Sequence, residues 1–128
     1  SCEMAMRLPG LSQILLEHGI VRVKVMSSYR DHPVTSFHTM GLALDLAAFF
    51  DAEGIRYRVQ TDFLATPNER TCEGVEPVEA KARKLRHLAC ALHASHLFSS
   101  VLTPNYNVGH RDHFHIDIRP DDPRFFFR

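Results

Sequence analysis

The chain has 128 residues, which suffice for one hydrophobic core, so we predict a single domain over residues 1–128. Hydrophobic residues make up 45% and charged residues 23%, as in ordinary globular proteins. Lys and Arg number 15, as do Asp and Glu, whereas proteins that bind phosphate backbones carry a basic excess. The composition therefore argues against nucleic acid as a partner. No apolar stretch approaches the ~20 residues of a membrane span.

The first part of the chain predicts a helix followed by a strand. Residues 8–18 place apolar side chains on one helical stripe, and Gly19 is a suitable terminator. Three valines then alternate with charged residues over residues 21–25, which is the period of a strand with one solvated face. Residues 27–37 are polar and interrupted by proline, so they predict a loop.

The middle of the chain predicts a hairpin and a long loop. An apolar run over residues 42–50 contains one charge, Asp45, and turn-like residues 51–54 separate it from a strand pattern at 55–59. Residues 61–76 are polar and show no periodicity. Loops of that length are uncommon unless they are functional or poorly ordered.

The last part of the chain completes an α+β pattern. Pro77 opens a strong amphipathic helix, and a loop at 103–112 leads into a strand at 113–118. We therefore predict a small antiparallel sheet with helices packed on it. The three phenylalanines at 125–127 are expected to pack over the core.

Histidine is unusually frequent, with nine in the chain and three of them within residues 110–115. Histidine is the commonest metal ligand and titrates nearest to neutral pH, so this cluster indicates metal binding or proton transfer. The alternation of the last strand places His113, His115 and Asp117 on one face. Two imidazoles with backbones ~7 Å apart can approach one centre. Surface and core histidines explain most isolated pairs of this kind.

Asp45 strengthens the metal interpretation, because a lone carboxylate in an apolar run is costly to bury unless it is paired, hydrogen-bonded or bound to a metal. His38 stands seven residues earlier, and Gly41 between them lets the backbone turn closely. The alternative is a structural Asp45 that caps a loop or pairs with Arg30. The residues alone leave both interpretations open.

Two histidines and one aspartate suit zinc, with a fourth position left for water. Zinc makes such water acidic enough to act as a nucleophile near neutral pH. We therefore expect a zinc site on the face of the sheet. A neighbouring His113 or His110 would then move protons, or would close the site if it were a further ligand.

The three cysteines, Cys2, Cys72 and Cys90, fit no zinc-finger spacing. One disulfide with one free thiol would suit an oxidising compartment, and three buried thiols would suit a reducing one. Both alternatives stay open.

Three segments resemble known families. SFHTMGLALD at residues 36–45 fits the S-x-H-x-x-G-x-A-x-D signature of the D-alanyl-D-alanine metallopeptidases, which are relatives of lysostaphin-type peptidases and of the hedgehog signalling domain. HRDHFH at residues 110–115 resembles the H-x-x-H-x-H of penicillin-insensitive murein endopeptidases. FSSVLTPNYN at residues 98–107, running on to Asp117, is most similar to the bacterial extensin-like C-terminal domain family.

The resemblance implies a role for each matching histidine and aspartate. His38, Asp45 and His115 match the three metal ligands. His113 matches the adjacent catalytic histidine, and His110 matches a further active-site histidine of the endopeptidases.

The resemblance also implies substrate contacts and shows two departures. Ser36 and Arg30 match positions that contact substrate, and a guanidinium suits a carboxylate or a developing oxyanion. Some relatives use a glutamate base, but residues 103–115 contain none, so histidine would do that work. Arg30 and Ser95 stand near positions where relatives carry cysteine, so the family's disulfide pairing is not transferred.

The implied function is a zinc-dependent peptidase that hydrolyses amide bonds in peptidoglycan stem peptides or cross-links, in the periplasm or outside the cell. Both D,D and L,D bonds, and both carboxypeptidase and endopeptidase action, fit the motifs. The alternative is a non-catalytic, zinc-stabilised module that binds cell wall or protein. Because His113 and His110 are both present, the sequence favours the enzyme.

Overall fold

The computed structural model describes residues 1–27, 31 and 35–128. Its elements include three α-helices, namely α1 (Cys2–Glu17), α2 (Val59–Asp62) and α3 (Ala80–Ala94). A short 3₁₀ helix spans Val108–His110. The strands are β1 (Ile20–Ser27), β2 (Ala43–Asp51), β3 (Arg56–Arg58), β4 (Ser100–Leu102), β5 (Phe114–Asp117) and β6 (Phe126–Phe127).

These six strands form one sheet in the order β1-β2-β5-β4-β6, and β3 pairs with β2 beyond the end of β5. The predicted hairpin is confirmed as the antiparallel pair of β2 and β3. Its turn is held by Asp51, whose Oδ1 accepts the backbone N–H groups of Glu53 and Ile55 at 3.0 and 2.9 Å. The second strand ends at Arg58 rather than at residue 59, because Val59 begins α2.

The sheet is mixed, so the prediction of a purely antiparallel sheet is wrong. Strands β4 and β6 run parallel, with Ser100 opposite Phe126. The chain returns along β4 after residue 118, and the backbone N–H of Phe126 donates to the oxygen of Ser99 at 2.7 Å. A two-residue edge strand is too short to show a period in the sequence.

The helices and the sheet share one hydrophobic core, so the α+β class is confirmed. Phe49 on β2, Phe114 on β5 and Phe63 after α2 are fully buried, and the ring of Phe114 contacts that of Phe49 in a tilted arrangement and that of Phe63 edge-on. Helix α3 buries a leucine stripe against them, with Leu85, Leu88 and Leu92 at helical spacing. The strand period of β5 is confirmed, since Phe114 and Ile116 face this core.

Helix α1 begins six residues earlier than predicted. Ser1 provides the cap, and its hydroxyl accepts the backbone N–H of Met4 at 3.2 Å. Pro9 lies inside the helix, where it removes one backbone hydrogen bond. The burial of Met4, Leu11 and Leu15 on one face offsets that cost.

Helix α3 begins three residues later than predicted from Pro77. The guanidinium of Arg83 donates to the carbonyl oxygens of Pro77 and Val78 at 3.1 and 2.5 Å. These carbonyl groups are therefore satisfied by a side chain, and the regular helix begins at Ala80. Within the described residues, no helix is long and apolar enough to span a membrane.

Cys72 and Cys90 form a disulfide, and Cys2 is a free, exposed thiol. The bridge fastens the long polar segment to α3. A second attachment comes from the buried Arg86 of α3, whose Nη2 donates to the oxygen of Leu64 and the hydroxyl of Thr66, both at 3.0 Å. The long loop is therefore anchored at two points.

Removal of this disulfide is expected to destabilise the fold. The cysteines are separated by 18 residues, and a loop of that size confers about 3 kcal/mol through loss of chain entropy in the unfolded state. The double change Cys72→Ser and Cys90→Ser should lower the unfolding free energy by about that amount in urea titrations. Cys2→Ser is the matched control and should leave the transition unchanged. Equal midpoints for the two variants would contradict this role.

Candidate metal centre

The centre is built where β2 and β5 pair. The register places Asp45 of β2 directly opposite His115 of β5. His115 Nδ1 donates to Asp45 Oδ1 at 2.9 Å. Because both side chains project from paired strands, the sheet itself fixes this contact.

A tight turn after residue 35 brings His38 to the same carboxylate. The hydroxyl of Ser36 accepts the backbone N–H of His38 at 3.2 Å, and the N–H of Gly41 donates to the oxygen of His38 at 3.0 Å. Gly41 has φ of +66°, a left-handed conformation that other residues adopt at a cost. This turn aims the ring at the sheet, and His38 Nε2 lies 3.1 Å from Asp45 Oδ1.

His38, Asp45 and His115 each offer one ligand atom, and these atoms lie within 4.8 Å of one another. His38 is 5% exposed and Asp45 only 1% exposed. Two imidazole nitrogens and one carboxylate oxygen are a donor set that zinc accepts in sites with an open fourth position. The three residues therefore fit a zinc ion by type, number and proximity.

Electrostatics favour an ionised aspartate in this pocket. Burial opposes ionisation of Asp45, but the hydrogen bond from His115 and the charges of His113 and His38 outweigh it. The pKa of Asp45 therefore lies below its ordinary value. The Asp45 carboxylate is therefore anionic at neutral pH, as a metal ligand of this type must be.

His115 is held from both sides. Its Nε2 donates to Asp117 Oδ2 at 3.1 Å while Nδ1 faces Asp45. Burial alone would lower the pKa of His115, but the hydrogen bonds to Asp117 and Asp45 raise it to about 9. Asp117 is 1% exposed and also accepts from Arg119 Nε at 3.3 Å. Asp117 thus fixes the ring so that Nδ1 points at the centre.

His113 stands beside the candidate ligands. Its Nε2 lies 3.6 Å from Asp45 Oδ1, and its Nδ1 lies 2.7 Å from Asp112 Oδ1. His113 is 6% exposed, whereas the carboxylate of Asp112 is partly open to solvent. Since Asp112 accepts a hydrogen bond from Nδ1, the Nε2 atom is the one turned towards the centre.

The ring of His110 lies next to the rings of His113 and His115. Its ring centroid is 5.0 Å from that of His113 and 5.9 Å from that of His115. Burial, together with the charges of His113 and His115, lowers the pKa of His110 to about 4. Its Nδ1 lies 2.6 Å from Asn107 Oδ1 and donates to it. His110 is therefore neutral at pH 7, with a lone pair available on Nε2.

The sequence profile described as Extensin-like protein C-terminus matches residues 4–125. The chain belongs to this family. Comparisons with curated proteins and with solved structures found no significant match. The matched range includes the turn that carries His38, the β2–β5 pair and the histidine segment of this extensin-like chain.

Most residues predicted from the sequence meet at this centre. His38, Asp45, His115, His113 and His110 are brought together. The hydroxyl of the sixth, Ser36, holds the turn of His38, which is a structural role in addition to the implied substrate contact. The seventh, Arg30, lies outside the described residues.

Two further histidines in this extensin-like chain have a packing role. His93 stacks on Phe127 with ring centroids 4.8 Å apart, and His96 stacks on Phe125 at 4.1 Å. Phe127 packs against the core as predicted, but Phe125 is 46% exposed. This histidine pair therefore fastens the C-terminal strand to the end of α3.

Sequence reasoning missed two residues that orient the catalytic candidates. Asp112 immediately precedes His113, and Asn107 stands three residues before His110. Asp112 lies within the histidine motif and Asn107 lies just before it, and this proximity in sequence is the feature from which their role could have been predicted. Their acceptor atoms decide which ring nitrogen of each histidine faces the centre.

Zinc affinity of the extensin-like chain should fall as pH falls. In the metal-free protein the pKa of His115 is about 9, so near neutral pH a metal must displace a proton from this ring. We expect the dissociation constant for zinc to rise about tenfold per unit of decreasing pH between about pH 8 and pH 6. Competition with a chromophoric chelator at several pH values measures this. A constant affinity across that range would contradict the assignment of His115 as a ligand.

Proposed function

We propose that this chain is a zinc-dependent peptidase that hydrolyses amide bonds in peptidoglycan stem peptides or cross-links. The observation that carries the proposal is the convergence of three imidazole nitrogens on one buried oxygen, Asp45 Oδ1. Two of those nitrogens, with Asp45, make a zinc-type donor set, and the third, on His113, is placed to act on protons beside it.

Zinc bound by His38, Asp45 and His115 would supply a Lewis acid that polarises a carbonyl group and makes water reactive near neutral pH. His113 Nε2 holds or accepts a proton next to the scissile bond, while Asp112 keeps the ring in that orientation. His110, neutral and orientated by Asn107, accepts or passes on a proton through its Nε2.

We also propose that the chain is related to the D-alanyl-D-alanine metallopeptidases. The S-x-H-x-x-G-x-A-x-D and H-x-x-H-x-H patterns support a place beside the D-alanyl-D-alanine metallopeptidases, and with it a cell-wall peptide substrate. In that scheme Arg30 and Ser36 position the substrate. The Cys72–Cys90 disulfide suits an oxidising compartment, which supports a periplasmic or extracellular location.

Cleavage of muropeptides tests the proposal. Zinc-loaded protein is incubated with a mixed muropeptide digest, and the products are resolved by liquid chromatography and mass spectrometry. We expect the gain of one water at an amide bond, inhibition by 1,10-phenanthroline and recovery when zinc is restored. A folded, zinc-loaded protein that binds the peptides and leaves them intact would support a binding module instead.

A further inference from the structure

A groove lined by cations runs along the sheet from the candidate metal centre. Lys24 on β1 and Arg58 on β3 lie opposite the same residue, Ala48 on β2, and so form the two rims. The groove has a volume of about 380 Å³. Its lining also includes Met26, Ala47, Phe50, Arg56, Gln60 and Asp112.

The floor of this cationic groove is free of bulky side chains, because β2 carries small residues there. Ala48 is 3% exposed, and Ala47 precedes it. The strands that carry Lys24 and Arg58 are separated by two strand spacings, or about 10 Å. That width admits one extended peptide chain between the two charged rims.

The cations of the groove have no carboxylate partner within the described part of the chain. Lys24, Arg56 and Arg58 form no ion pair among residues 1–27, 31 and 35–128. Asp62 accepts the backbone N–H of Arg58 at 2.7 Å and leaves the guanidinium to solvent. The chain has no net charge, so this local excess of positive charge is a property of the groove.

The groove and the candidate metal centre share one residue. Asp112 lines the groove, and the same carboxylate holds His113 at 2.7 Å. Asp112 also places a negative charge at this end, so an anionic group of a bound molecule would lie further along, between Lys24 and Arg58.

We propose that the cationic groove binds a carboxylate-bearing segment of the peptide substrate, on one side of the bond held at the metal centre. This inference rests on the proposed function and specifies its substrate class as an acidic peptide. The alanine floor and the opposed basic rims fit an extended backbone with free carboxylates. The Arg22 guanidinium already occupies one face of the Phe50 ring, at 3.9 Å from its centroid, so a single-stranded nucleic acid, which stacks bases on such rings, fits less well.

Binding of two labelled peptides tests the groove without depending on cleavage. The probes are fluorescein-labelled L-Ala-γ-D-Glu-L-Lys-D-Ala-D-Ala, with both free carboxylates present or both amidated. Anisotropy is measured on the zinc-loaded His113→Ala chain, which is expected to keep its zinc and to lose turnover, and mass spectrometry verifies that each probe stays intact. We expect the acidic probe to bind about tenfold more tightly than the amidated one, with an advantage that shrinks in high salt.

Reversing the charge of two groove residues tests whether the acidic probe binds in the groove. Lys24→Glu with Arg58→Glu should remove the preference for the acidic probe. Lys81→Glu is the matched control, since Lys81 is an exposed cation on α3 near the opposite side of β3. Circular dichroism checks that each variant is folded.

Equal binding of the two probes, no binding of either, or an undiminished preference in the Lys24→Glu, Arg58→Glu protein would overturn the proposal. Tighter binding of a single-stranded oligonucleotide of equal charge would also overturn it. Selective binding of the acidic probe without any cleavage of muropeptides would uphold the groove and refute the proposed peptidase activity. The two failures are therefore distinguishable.

Discussion

Replacement of His113 by alanine is expected to lower turnover of muropeptides by about 10²–10⁴-fold while zinc content stays near that of the wild type. His113 Nε2 lies 3.6 Å from Asp45 Oδ1, further than the nitrogens of His38 and His115 at 3.1 and 2.9 Å. The longer distance places His113 beside the proposed ligands, and the hydrogen bond to Asp112 orients its Nε2 for proton transfer.

His87→Ala is the matched control for this experiment. His87 is exposed on α3 and contacts Glu76 at 2.5 Å, outside the candidate centre. Its removal should leave turnover and zinc content unchanged. The role of His113 is wrong if His113→Ala retains wild-type turnover, and it is a ligand instead if that variant loses zinc together with activity.

Replacement of Asp45 by asparagine is expected to weaken zinc binding by more than about 100-fold. The change keeps the shape of the side chain but removes the only anionic ligand of the proposed set. It also leaves the imidazoles of His38 and His115 facing a neutral amide in a buried site. Competition with a chelator measures the affinity.

Substitutions of two further aspartates provide comparisons for the zinc affinity of Asp45→Asn. Asp117→Asn keeps all three ligands and alters the partner that His115 Nε2 shares with Arg119, so we expect a smaller loss of about 10-fold to 100-fold. Asp122→Asn lies in the C-terminal loop beside Arg124 and should have no effect. Zinc affinity of Asp45→Asn equal to that of Asp122→Asn would exclude Asp45 as a ligand.

The alternation of apolar and polar residues predicted much of the site, because the side chains of β5 follow that alternation closely. Phe114 and Ile116 face the core, which leaves His115 on the opposite face. The single charge in the apolar run identified Asp45, and Gly41 marked the turn that returns His38 to it. These features are local, so a sequence can show them.

Features that depend on distant pairing were not predictable in the same way. The parallel contact of β6 with β4 joins segments separated by a loop without periodicity. The cationic groove exists only because Lys24 and Arg58 both lie opposite Ala48, a register that neither strand reveals alone. Helix α1 starts six residues before the predicted residue 8, and Pro9, a residue type that is common in the first helical turn, lies inside it.

The most direct test of the zinc assignment is the metal content of the purified wild-type chain and of His115→Ala, measured side by side by elemental mass spectrometry. Of the three histidine nitrogens around Asp45 Oδ1, that of His115 lies nearest, at 2.9 Å. We predict about one zinc per wild-type chain and little in the folded variant. Wild-type protein without zinc after reloading, or equal zinc in both proteins, would contradict a zinc ion held by His38, Asp45 and His115.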